Sequence, residues 1–236
     1  MVSDRVARVV ARARRGWSAS ATVPAALTWL VGYLAVALSG VAFSTAYLGF
    51  GWQLAPWDVL SNDPVRSAWY LHVQPPLWNL FLGVPAWLSP WSDAITLQIV
   101  MLAVGLATAA LTARLAELLG AGRRAAWIVA VAATLHPEVL KGAFEPNYEL
   151  GVAALLLAVL VALARVLRVG ASPKVFRPIC WLAAVLVVLV MTRSLYHPLF
   201  AAVILAAVLW RFRASLARRQ LLVIVLVPVI VVAAGS

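Results

Sequence analysis

Aspartate and histidine are scarce in this chain, and most of them gather in short polar stretches. The longest such stretch is residues 57–79, reading WDVLSNDPVRSAWYLHVQPPLWN. It supplies two carboxylates, Asp58 and Asp63, and then His72 and Gln74 just ahead of Pro75 and Pro76. A carboxylate held at a membrane surface by a short helix and a Pro-Pro turn can take a proton from a hydroxyl, which is general-base chemistry. Both acids also suit a structural role. Asp63-Pro64 fits a helix N-cap followed by Pro at the first helical position, and Asp58 could cap in the same way. His72 and Gln74 suit either hydrogen bonds within their own loop or contact with substrate.

Two further stretches carry polar chemistry. The first, 136-HPEVLKGAFEPNYEL-150, places Lys141 and Glu145 four residues apart. They could pair along one helical turn. Alternatively, Lys141 binds phosphate oxygens while Glu145, aimed by the break at Pro146, faces the carboxylate loop. The second, 192-TRSLYHPL-199, places Arg193 and His197 between two strongly apolar runs. A guanidinium at membrane depth is unfavourable unless it pairs or binds an anion, and its planar fork suits phosphate. The competing role for Arg193 is an ion pair with Glu145 or Asp58. The chain contains no Gly-rich phosphate loop, no HExxH and no nucleophile elbow with a Ser-His-Asp order.

These stretches need elements to position them, and composition says which. The chain is 64% hydrophobic and only 11% charged, against about 25% charged in soluble domains. Several apolar runs approach the roughly 20 residues that cross a bilayer as helix. Runs such as 151–164 lack the alternation of a membrane β-barrel. The single Cys180 excludes an intramolecular disulfide and a cysteine metal cluster. The apolar segment at 24–48 is too long for the core of a cleaved signal peptide, so none is expected.

The net charge of +11 is distributed in a way that points to membrane topology, not to nucleic acid. Sixteen of the nineteen Lys and Arg fall in four clusters, at 5–15, 114–124, 165–177 and 211–219, each beside an apolar run. Basic connectors stay cytoplasmic. The expected architecture is therefore all-α. It is a polytopic transmembrane bundle of about seven spans forming one domain over 1–236. A basic cytoplasmic N-terminus covers 1–23, and an external loop with juxtamembrane helices covers 49–94. Expected spans are 24–48, 95–119, 125–143, 149–168, 177–193, 197–212 and 220–236. The segment 75–90 has four prolines and cannot be a full span; it is expected as a short interfacial or re-entrant helix. This arrangement puts all three histidines and six of the eight acids on or near the outer face.

The outward first helix, the acidic loop after it, the His-x-x-Pro-Pro-Leu element (His72, Pro75, Pro76, Leu77) and the Glu-Pro-Asn-Tyr run at 145–148 resemble the glycosyltransferase C superfamily. The nearest likeness is to its family-39-type enzymes, which use polyprenyl-phosphate sugars. The resemblance covers residues 24–200 loosely. It implies a seven-helix module, a base or acceptor-positioning role for Asp58 with Glu145 beside it, and inversion at the sugar carbon. Asp63, His72, Gln74, Lys141, Tyr148, Arg193 and His197 would then bind substrate. Family members usually continue with further helices, so a shortened, minimal or degenerate member is expected.

The expected function is transfer of a sugar from a lipid-linked donor to an acceptor hydroxyl at the outer face of the plasma membrane. Membrane lipids and the donor are the expected partners, the acceptor is unspecified and nucleic acid is excluded. No cofactor is called for, and a divalent cation is left open. The alternatives are a transporter or flippase of an amphiphilic anion, for which no internal repeat is found, and a non-catalytic membrane subunit.

Overall fold

The computed structural model describes residues 20–50, 55–70, 76–192 and 198–234. Among these the chain is all-helical, with no strand. The longer helices are α1 (Thr22–Leu38), α5 (Pro76–Leu88), α6 (Asp93–Leu118), α7 (Arg123–Thr134), α9 (Tyr148–Val169), α10 (Phe176–Thr192), α11 (Pro198–Phe212) and α12 (Arg218–Ala234). Between them lie the short helices α2 (Tyr47–Phe50), α3 (Trp57–Asn62), α4 (Pro64–Tyr70) and α8 (Pro137–Lys141).

Three helices are long and apolar enough to cross a membrane: Asp93–Leu118, Tyr148–Val169 and Pro198–Ser215, the last being α11 with a 3-10 turn added. Thr22–Leu38 and Phe176–Thr192 are apolar but shorter. These mark the protein as a helical membrane protein. Only 17% of the Pro198–Ser215 window is buried within the protein, and apolar side chains of α11 and α12 such as Val203, Trp210, Leu226 and Ile230 are exposed. Such faces are compatible with lipid, which solvates them as well as a protein core does.

Two expected helix ends are corrected. The helix expected over 24–48 stops at Leu38, because Gly40 turns the chain with a φ of 99° and donates its N–H to the Ala37 carbonyl. The helix expected to run to 143 stops at Thr134, because His136 precedes Pro137 and is steered away from helical geometry. The proline-rich segment forms α5. Its 13 residues reach about 20 Å, short of the roughly 30 Å hydrocarbon core.

Helix α6 is the spine of one half, packing against α1, α7 and α9. The close approaches depend on missing side chains. Trp29 of α1 lies against Gly105 of α6, and Trp78 of α5 against Gly151 of α9; a Cβ at either glycine would overlap the indole. Both tryptophans are buried. A second core joins α9 and α10 to α11 and α12 through Val166, Ile179, Leu182, Leu186, Phe212 and Ile224.

At one end, Glu117 of α6 clasps the start of α1. Its carboxylate accepts from the Ala21 N–H, from Ser20 Oγ at 3.0 Å and from Arg114 at 3.0 Å. Its carbonyl accepts from Arg168 of α9 at 3.2 Å. At the other end, Gln98 of α6 donates to the Tyr33 hydroxyl of α1 at 3.0 Å. Tyr33 stacks on Phe144, with ring centroids 4.4 Å apart. Trp57, bonded to Asp93 at the start of α6, and the segment around Phe144 lie at this second end.

Candidate functional site

The turn ahead of Asp58 is held at three points. The Ala55 N–H donates to the buried Asn79 Oδ1 of α5 at 2.8 Å. The Trp57 indole Nε1–H donates to Asp93 Oδ2, in the first turn of α6, at 2.7 Å. Leu60, fully buried, fits against Gly83 of α5, where a Cβ would come within 2.9 Å of its Cγ. Asp58 sits in the first turn of α3, where a negative charge meets the positive end of the helix dipole.

Asp58 itself is exposed, and among the described residues its carboxylate has no hydrogen-bond partner. Its main-chain carbonyl is occupied, accepting from Asn62 Nδ2 at 2.6 Å. The carboxylate lines an open cavity of about 750 Å³ together with Asp93, Ser92, Thr45 and Trp57. The lining is therefore mixed, with two acids and two hydroxyls beside an indole. Such a surface suits a polyhydroxylated ligand, since carboxylates accept from hydroxyls and an indole packs on apolar C–H faces.

Asp63 does what its sequence context allows: its Oδ1 accepts from the Arg66 N–H at 3.1 Å, capping α4. It is not part of the cavity lining. Glu145 is half-buried in the segment between α8 and α9. It is also outside the lining, but its neighbour Phe144 accepts at its carbonyl from the Ser44 N–H at 2.8 Å. Thr45, next in the chain to Ser44, does line the cavity. Lys141 ends α8 and is exposed; no ion pair joins it to Glu145 among the described residues. Tyr148 opens α9 and packs on both cores. His72, Gln74, Arg193 and His197 lie outside the described residues. No group of three or more His, Cys, Asp or Glu able to hold a metal ion is found among the described residues.

An apolar groove of about 760 Å³ lies between α5, α6, α9 and α10, lined by residues including Phe81, Val104, Ala154, Val188 and Thr192. A smaller one of about 480 Å³ separates α11 from α12 beside α10.

Sequence reasoning assigned no role to Asn79, Asp93 or Trp57. The signal for Asn79 was present, because a lone amide inside an apolar helix must find partners when buried. Asp93 and Trp57 offered none, since their bond joins residues 36 apart. No protein-family model matches the chain, and no curated protein or solved structure is found to match it.

Proposed function

We propose that the protein is an integral-membrane glycosyltransferase. It moves a sugar from a polyprenyl-phosphate donor to an acceptor hydroxyl at the outer face of the plasma membrane. The observation that carries this reading is the Asp58 carboxylate, unpartnered among the described residues, at a mixed polar cavity at the end of the bundle away from the Glu117 clasp. Asp58 takes the proton of the acceptor hydroxyl as its oxygen bonds to the anomeric carbon. The bond from that carbon to the phosphate oxygen breaks, and the electron pair leaves on the polyprenyl phosphate. One displacement inverts the sugar carbon.

The donor's phosphate would be met by Arg193, helped by Lys141 or His197, and its isoprenoid chain would lie along apolar helix faces. The basic turns at 114–124, 165–177 and 211–219, with the basic N-terminus, remain cytoplasmic. That assignment turns the cavity outward and asks for seven spans, of which three helices are by themselves long and apolar enough to cross.

The test is release of polyprenyl phosphate from polyprenyl-phosphate-linked hexoses and pentoses, by the purified protein in nanodiscs with membrane extract as acceptor source. Release by the parent chain and its loss in Asp58→Asn supports the reading. Donor carried across the bilayer without cleavage would instead favour a flippase.

A further inference from the structure

Asp58 is open, yet Ala55, Trp57 and Leu60 around it are fastened, and two of the fastenings are polar. Ala55 carries the last main-chain N–H before Pro56, which has none to offer. That N–H enters the protein interior and is received by Asn79, whose side chain is fully buried in α5. Asn79 and Gly83 are four residues apart on α5, hence on one face, and both meet the α3 segment, at Ala55 and Leu60. On the other side the Trp57 indole is tied to Asp93 at the start of α6. Asn79 is an amide buried in α5, where it needs hydrogen-bond partners, and the Ala55 N–H is one. Asp93 gives the Trp57 indole an acceptor from the first turn of α6.

We infer that Asn79 and Asp93 are positioning residues: together they fix the 55–57 turn so that Asp58 is presented to the cavity with its carboxylate free. The inference rests on Asp58 being the base of the proposed transfer. Asp93 acts as a hydrogen-bond acceptor for the indole, so its amide analogue, which keeps an acceptor oxygen, should serve. Asp93 also lines the cavity beside Asp58, and loss of its bond would release the indole and with it the first turn of α3.

The experiment separates position from chemistry. In a Cys180→Ser background, Asp58→Cys carries a methanethiosulfonate nitroxide, and the protein is studied in nanodiscs. The expected spectrum is constrained. Asp93→Ala, Trp57→Phe and Asn79→Ala should each bring out a mobile component, and Asp93→Asn should leave the spectrum constrained. Trp57→Phe breaks the Asp93 bond from the other side, so it decides if Asp93→Ala does not fold. With Asp58 intact, Asp93→Ala and Trp57→Phe should lower kcat for sugar transfer by about 10- to 100-fold, the scale of a roughly 1 Å misplacement. The donor KM should stay near that of the parent chain, and Asp93→Asn should rescue kcat. Folded variants with unchanged spectra, or changed spectra with undiminished transfer, would overturn the inference. If the parent chain releases no polyprenyl phosphate while the spectra change as expected, the turn is held as inferred and the glycosyltransferase reading falls instead.

Discussion

Asp58 and Asp63 are the same residue type five positions apart, and their surroundings divide their work. Asp63 spends an oxygen on the Arg66 N–H; Asp58 spends none on the described protein. Replacing Asp63 with Ala should therefore cost about 1 kcal/mol of stability, as for a lost N-cap, with catalysis retained, checked by thermal unfolding beside a release assay. Asp58→Asn keeps the shape but not the basicity. Release of polyprenyl phosphate should fall by about 10²- to 10⁴-fold, the usual contribution of a general base, with helix content and elution volume unchanged. Arg193 belongs to this scale too. Arg193→Lys should weaken binding of a polyprenyl-phosphate analogue, because the planar fork is lost while the charge stays, and Arg193→Ala should weaken it more. Unchanged affinity in a folded Ala variant would reduce Arg193 to an ion-pair residue.

At the scale of elements, the packing of α1 on α6 and of α5 on α9 depends on two Trp–Gly fits. Gly105→Ala and Gly151→Ala each push a methyl into an indole. Each should destabilise by about 1–3 kcal/mol, the range for overpacked cores. The two should differ in function. Gly151→Ala displaces Trp78 and with it α5, the helix that carries Asn79, so transfer should suffer beyond the loss of stability. Gly105→Ala acts deep between α1 and α6 and should lower the unfolding temperature with transfer per folded molecule preserved. Unfolding midpoints and kcat measured side by side decide this.

The whole molecule has a basic, clasped end and an end with the open cavity. Topology follows if the basic turns are cytoplasmic. In the Cys180→Ser background, single cysteines at Ser61 and Ser92 should both react with an impermeant maleimide added to intact cells. A cysteine at Ser172, between α9 and α10, should react only after lysis. Labelling of positions 61 and 92 from the cytoplasm alone would mean that the cavity they flank faces inward.

Composition and residue order determined the class: apolar runs with almost no internal charge can only be buried in lipid or protein, so the all-helical membrane architecture was legible. Proline at 137 and glycine at 40 end helices by backbone geometry that needs no tertiary partner, yet the expected helices ran through both stops. The Asp63 cap was legible, being a bond across three residues. What lies between distant segments was not. The indole of Trp57 meets Asp93 and the N–H of Ala55 meets Asn79 across 36 and 24 residues. Glu117 meets Ala21 across 96. No periodicity encodes those pairings, because they exist only once α1, α3, α5 and α6 have packed. The tertiary structure alone therefore decided which acid stands at the cavity without a partner among the described residues, and which acid and which amide bond to the turn beside it.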